Sequence, residues 1–419
     1  MQWIDRWCRR ELLASLQSHR VVSVTGCRQS GKTTLVRHAG VNAEYRTLDS
    51  SATLTQASED PVFFVRRRPG TCLIIDEVQK LPLLIGEIKC RVDENSEESG
   101  QYIITGSADY RKLPQASESL AGRVNFVRVR TFAEAELRGR PPVLLERLFK
   151  GQMPYGCTFD DCNKRLIVDL AVKGGFPAVQ RMSADDRARW FRSYLQQQVL
   201  LDMRGQWKTK RSDQVEDMFR LIAAYSSKPL VVRNVSRQLN AAWATVEKYY
   251  SAIEAMFLAD TVSAWTLKDY DRPGKTPKVF MTDSGLMAHL LGIGDGVDVF
   301  QQEFAQNYGG KLVETWAYNQ LMPEIELHPR WRLQHFRSKS HEIDFVVTNE
   351  KDELLLIDIK SGESVNSDDF QHIRWLKEQL GGKKTCTGIV LYAGNEVRSA
   401  GGGCYAVPFA AMWQESMWK

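Results

Sequence analysis

Residues 26 to 33 read GCRQSGKT, the spacing G-x-x-x-x-G-K-[ST]. Glycines at both ends let a backbone curl round a phosphate without side-chain collision. The apolar run RVVSVTG precedes the segment and TTLVRHAG follows it, so the loop joins a strand to a helix N-terminus. There the backbone N–H groups and the helix dipole face an anion. The expected contacts to a nucleoside triphosphate are Gly26, Cys27, Arg28, Gln29, Ser30, Gly31, Lys32, Thr33 and Thr34. Lys32 neutralises the β- and γ-phosphates, and the Thr33 hydroxyl holds Mg²⁺. A glycine-rich strand–helix turn without a ligand is the plainer reading. LIIDE (73–77) argues against it, because an apolar run there ends in paired acids. Asp76 is suited to hold Mg²⁺ through water, and Glu77 to orient and deprotonate an attacking water. That pair points to hydrolysis, of ATP or GTP. IITGS (103–107) ends a further strand and offers Thr105 or Ser107 to read the γ-phosphate; a simple strand-end hydroxyl cap is the alternative. In ESLAGR (118–123), Arg123 is either a charge stabiliser acting on a neighbouring subunit's nucleotide or a surface arginine.

A second constellation lies in HEIDFVVTNEKDELLLIDIKSGE (341–363), two apolar runs about a polar turn. Side chains alternate faces along a strand, so Glu342 and Asp344 share one face of the first run, and Asp358 and Lys360 share one face of the second. A turn centred near Lys351 sets Asp344 opposite Asp358, and Glu342 opposite Lys360. Directly opposed carboxylates repel. A divalent cation between them would give a reason for the geometry. A Glu342–Lys360 ion pair on a solvated face is the alternative.

These residues need elements to position them. Five strand candidates in residues 1 to 137 (20–26, 44–50, 71–77, 101–107 and 123–130) alternate with helical stretches, the pattern of a parallel α/β sheet. Residues 138 to 207 read as a helical lid or linker, broken by KGGFP (173–177). From 208 to 295 come three helical patterns and a hairpin whose loop is KDYDRPGK, the order a winged helix requires. Its third helix carries Trp243, Thr245, Lys248 and Tyr249 near the start, where they could enter a DNA groove while Arg233 and Arg237 meet phosphates. Packing between domains without nucleic acid is the other reading. Asp283 reads as the cap of a helix beginning near Gly285. Residues 296 to 419 add a helix from Gly310 to Leu321, the acidic hairpin, a helix from Asp368 to Leu380 and a strand at 387–394; AGGGC (400–404) reads as a turn.

Composition sets the outer limits. At 419 residues the chain needs several domains. A net charge of +5 permits a nucleic-acid partner but does not require one. No run is long and apolar enough for a membrane span, and the eight scattered cysteines read as reduced thiols of a cytoplasmic protein.

The segments VTGCRQSGKTTL, LIIDEVQKLP, ITGS, SLAGR, KGGFPAV and VFMTDSGLMAHLLG occur in this order. Together they resemble the prokaryotic AAA-type ATPases that carry a C-terminal DUF4143 domain. The resemblance implies an AAA+ core with a P-loop, a winged-helix-like middle unit, and a C-terminal restriction-endonuclease-like α/β domain of the PD-(D/E)xK kind. In that fold an acid on a helix, an Asp on one strand and an acid two residues before Lys on the next hold a metal. Glu314, Asp344, Asp358 and Lys360 fit those positions. The resemblance thus implies Mg²⁺ or Mn²⁺ on Glu314, Asp344 and Asp358, with Asp358 and Lys360 acting in phosphodiester cleavage. The expected whole is an ATP hydrolase coupled to a nuclease-like domain acting on DNA, in defence against foreign DNA. It would work without a membrane, as a homo-oligomer with an arginine supplied between subunits. The alternative is an ATP-dependent switch or scaffold that binds DNA or a protein through an inactive nuclease fold.

Overall fold

The first third of the chain forms five parallel strands: β1 (Val21–Thr25), β2 (Ala43–Thr47), β3 (Cys72–Asp76), β4 (Tyr102–Gly106) and β5 (Val124–Arg128). Their order across the sheet is β2-β3-β4-β1-β5. The central strands β1, β3 and β4 are buried along their whole length, as strands covered on both faces must be. Leu73, Ile75, Tyr102 and Ile104 pack on one face, and Val22, Val24, Ile74 and Ile103 on the other. Val21 is in register with Tyr102, and Thr25 with Gly106. The C-terminal ends of β1, β3 and β4 therefore open along one edge of the sheet. The loop after Thr25, Asp76 with Glu77, and Thr105 with Ser107 all lie there.

The computed structural model describes residues 3–109, 120–160, 162–200, 202–203, 212–267, 275–296, 298 and 301–414. They divide into two compact units, residues 1–131 with 253–258, and residues 132–252 with 259–419. In the second unit the helices Ser212–Tyr225, Val232–Gln238 and Trp243–Ala255, the last up to residue 252, accompany three antiparallel strands. These are β6 (Lys228–Pro229), β7 (Ala259–Val262) and β8 (Lys278–Met281), in the order β6-β8-β7. The loop KDYDRPGK lies, apart from Lys275, outside the described residues.

A six-stranded mixed sheet follows: β9 (Arg332–Arg337), β10 (Glu342–Thr348), β11 (Leu354–Lys360), β12 (Cys386–Tyr392), β13 (Arg398–Gly401) and β14 (Cys404–Pro408). The order is β13-β14-β12-β11-β10-β9. β9, β10 and β11 form an antiparallel meander, and β11 pairs parallel with β12 across the helix Gln371–Leu380. Ile373, Leu376 and Leu380 of that helix meet Leu354, Leu356 and Val390 in one core. Contact is close enough that a Cβ on Gly388 would stand 2.5 Å from Ile373. β9 has no clear apolar alternation, and sequence reasoning leaves it unassigned. AGGGC proves to be the turn from β13 to β14, with Gly401, Gly402 and Gly403 all left-handed.

Candidate nucleotide site and a lysine-filled acidic pocket

The phosphate loop is shaped by positive-φ residues: Gly26 at 150°, Gln29 at 62° and Gly31 at 102°. A Cβ on Gly26 would lie 2.2 Å from the carbonyl oxygen of Val129, so only glycine fits. Lys32, 4% exposed, donates from Nζ to the carbonyls of Gly26 (3.0 Å) and Cys27 (2.9 Å). Burial lowers its pKa below the ordinary lysine value, against the opposing pull of Glu77, Cys27 and Asp76. Cys27 and Ser30 are buried, Arg28 is half-buried, and Gln29 and Thr34 are exposed. From the N-terminal side the Arg6 guanidinium donates to the carbonyls of Ser30 (3.0 Å) and Arg130 (2.7 Å), pinning the loop to the end of β5.

Behind the loop runs a chain of hydrogen bonds. Thr33 Oγ1 donates to Asp76 Oδ2 at 2.9 Å, the Tyr45 hydroxyl donates to the same oxygen at 2.5 Å, and Thr105 Oγ1 donates to Asp76 Oδ1. The Glu77 backbone N–H donates to Thr105 Oγ1 at 3.0 Å. Gln79 Nε2 donates to Ser107 Oγ at 2.9 Å and to the Glu77 carboxylate. Thr33, Asp76, Glu77, Thr105 and Ser107 are thus brought together. Tyr45, Gln79 and Arg6 join them without a motif that marks them in the sequence.

The residues present suit a magnesium nucleotide. Among the described residues, the buried Ser30 Oγ has no hydrogen-bond partner, and the Lys32 ammonium is held by loop carbonyls. Arg123 stands elsewhere. It precedes β5, whose start is level with Val21, so it lies at the end of the sheet away from the loop. There its guanidinium clasps Asp93, Nε to Oδ1 at 2.5 Å and Nη2 to Oδ2 at 3.0 Å. Within one chain it does not reach the nucleotide site.

The acidic hairpin has the expected strand pairing, Phe345 opposite Ile357 and Thr348 opposite Leu354. Where the ladder ends, each opposed carboxylate accepts from the partner strand's backbone. The Asp344 N–H donates to Asp358 Oδ1 at 3.1 Å, and the Ile359 N–H donates to Asp344 Oδ2 at 3.0 Å. The positive charge beside Asp344 comes from an unanticipated residue. Lys278 on β8 is 1% exposed, and its Nζ lies 3.0 Å from Glu314, 3.0 Å from Glu342 and 3.4 Å from Asp344. The Glu342–Lys360 ion pair of the alternative reading is absent among the described residues. Glu342 takes Lys278 and Arg337 instead, and Lys360 takes Asp369 at 3.0 Å.

Burial alone would lower the Lys278 ammonium, but Glu314, Asp344 and Glu342 outweigh it and raise it above the ordinary lysine value. Burial, then the Asp344 charge, pushes the Glu314 carboxyl up to about 8. The same two causes hold Asp358 well above the aspartate range. For Glu342, burial acts upward but Lys278 outweighs it, and the carboxyl sits below its ordinary value. Glu314 and Asp344 thus share the Lys278 ammonium, and Asp358 lies beside Asp344. A metal does not fit among them in this arrangement, because an ammonium already touches Glu314 and Asp344. Among the described residues, no group of three or more His, Cys, Asp or Glu side chains has metal-holding geometry. The sequence signal for Lys278 is faint, one lysine at the head of the apolar strand KVFM.

In the middle unit Trp243 is 56% exposed, with Arg233, Arg237 and Lys248 also exposed. Tyr249, expected at a groove, is 5% exposed and belongs to the core, because it lies on the apolar side of its helix with Val246 and Ile253. Asp283 does cap its helix, accepting from the Leu286 N–H at 2.9 Å. All eight cysteines are free thiols, and no described helix is long and apolar enough to cross a membrane.

Residues 18–138 match the family described as AAA domain, residues 164–296 the domain of unknown function DUF8612, and residues 309–412 the domain of unknown function DUF4143. Uncharacterised proteins of Mycobacterium tuberculosis and Mycobacterium bovis are each 27% identical over 293 residues, 68% of this chain. The match spans only 60% of the length of those relatives. Among solved structures, a Walker-type ATPase of Pyrococcus abyssi is similar at 13% identity and a TM-score of 0.43, over 69% of this chain and 96% of its own. The RuvB Holliday junction branch migration motor of Thermotoga maritima is similar at 14% identity and a TM-score of 0.28, over 60% and 88%. The chain thus carries a segment similar to AAA domains, followed by one similar to DUF4143 domains.

Proposed function

We propose that this chain hydrolyses ATP. The observation that carries the reading is the unbroken chain of hydrogen bonds Thr33–Asp76–Thr105–Glu77, which ties the phosphate loop to the ends of two neighbouring strands. The loop N–H groups and Lys32 would hold the phosphates, and Thr33 with Asp76 would hold Mg²⁺. When bound, the ion supplies positive charge to the phosphate oxygens. Glu77 accepts the proton of the attacking water on its carboxylate. Gln79 and Ser107 fix that carboxylate's orientation. Glu77→Gln should reduce turnover by roughly 10²–10⁴-fold while ATP still binds, and Lys32→Ala should abolish turnover and weaken binding. Steady-state phosphate release with a parallel binding titration measures both. Normal turnover in either variant would refute the assignment.

We further propose that DNA is the macromolecular partner and that the middle unit, read as a winged helix, meets it. Exposed Trp243, Arg233, Arg237 and Lys248 support this, as aromatic and cationic groups that suit a groove and its phosphates. Replacing Arg233 and Arg237 by Ala should weaken duplex binding and lower the salt slope by about 1 per lost phosphate contact. Fluorescence anisotropy at several salt concentrations would show it, and an unchanged slope would move the contact elsewhere. For the DUF4143 domain, Lys278 favours a binding or regulatory role over metal-dependent cleavage by Glu314, Asp344, Asp358 and Lys360. Arg123 enters only as a residue supplied to a neighbouring subunit of a homo-oligomer, released from Asp93.

A further inference from the structure

The acidic pocket of the second unit draws four carboxylates from three elements: Glu314 from the helix Gly310–Ile325, Glu342 and Asp344 from β10, and Asp358 from β11. Such a collection is unstable without positive charge. The charge comes from a separate sheet. Strand β8 is buried throughout, and its first residue extends an ammonium that is 1% exposed onto three of the four. An ammonium donates three hydrogen bonds and accepts none. The distances of 3.0 Å to Glu314, 3.0 Å to Glu342 and 3.4 Å to Asp344 match those three donors to three acceptors. Asp358, which the ammonium does not reach, is served by the Asp344 N–H.

A divalent ion bound by the same oxygens would stand about 2.0–2.6 Å from them. It would then occupy the volume that Nζ fills. We infer that Lys278 is the resident cation of this pocket. Its ammonium excludes Mg²⁺ and Mn²⁺ while β8 is in place, and removing that single amine turns the pocket into a divalent-cation site. The inference stands apart from ATP hydrolysis, since it concerns only the second unit.

The test is a Mn²⁺ titration of the full-length, nucleotide-free chain, followed by electron paramagnetic resonance of the free ion. Wild type and Asp344→Asn should bind alike. Lys278→Met should gain about one further Mn²⁺ per chain, at least tenfold tighter than any wild-type site, and the Lys278→Met/Asp344→Asn double variant should lose it. The thermal midpoint of Lys278→Met should fall below wild type and recover on adding Mn²⁺, whereas the wild-type midpoint should not respond. If Lys278→Met does not fold, the Lys278→Met/Glu314→Gln variant carries one fewer uncompensated carboxylate and serves in its place. Mn²⁺ bound to wild type and lost in Asp344→Asn would overturn the inference. So would a folded variant lacking the amine that binds no more Mn²⁺ than wild type.

Discussion

Asp283 joins two distant backbone segments through one carboxylate. Oδ1 accepts from the Leu286 N–H at 2.9 Å and Oδ2 from the Gly175 N–H at 2.8 Å. The first bond was legible in the sequence as a helix cap. The second depends on KGGFP folding back against the helix Ser284–Leu290, which local spacing does not encode. Gly174 permits the approach: its φ is +71°, and a Cβ would meet Asp283 Oδ1 at 2.4 Å and the Gly285 backbone at 2.7 Å. Gly174→Ala should therefore destabilise the second unit by several kcal/mol, on the order of the largest single-site effects. Asp283→Ala should cost about 2–4 kcal/mol, as a lost cap plus a stranded N–H. Urea unfolding followed by tryptophan fluorescence would measure both, and a loss below about 0.5 kcal/mol for Gly174→Ala would show that the loop can relax.

At the scale of elements, the helix Gly310–Ile325 does more than line the acidic pocket. Gln320 Oε1 accepts from the Glu134 N–H at 2.6 Å, and Glu324 Oε1 accepts from the Leu145 N–H at 2.8 Å, so one helix caps two others. Glu324 is 3% exposed. Burial pushes its carboxyl from 4.5 up to about 8, against the backbone N–H bonds that pull it down. The folded chain thus keeps a proton that the unfolded chain releases. This group's contribution is fully present below about pH 4.5 and is lost as pH rises towards about 8. Relative to wild type, Glu324→Gln should gain up to about 1.4 kcal/mol per pH unit across that window. Urea midpoints from pH 5 to pH 8 would check it; parallel profiles for the two proteins would contradict it. Elements of this kind show what sequence can and cannot reveal. The three central strands of the first sheet were legible because each is a short apolar run ending in chemistry. The acidic hairpin was legible in its alternation and register. Its counter-charge was not, because Lys278 arrives from a strand 66 residues away from Asp344, and no periodicity links the two.

For the whole molecule, ATP with Mg²⁺ should stabilise the first unit by mass action, about 2.7 kcal/mol at a hundredfold excess over Kd. Hydrogen exchange should slow in residues 26–33 and around Asp76 and Thr105 in wild type, and stay unchanged in Lys32→Ala. Equal protection in both proteins would argue against binding at the loop. The same unit shows how activity and stability can diverge. Glu77 has φ 61° and ψ 45°, a left-handed conformation that disfavours a side chain by roughly 1–2 kcal/mol. Glycine at this position would relieve the backbone and remove the carboxylate together. A search for heat-resistant variants would therefore favour Glu77→Gly, yielding a sturdier protein that binds ATP and no longer turns it over.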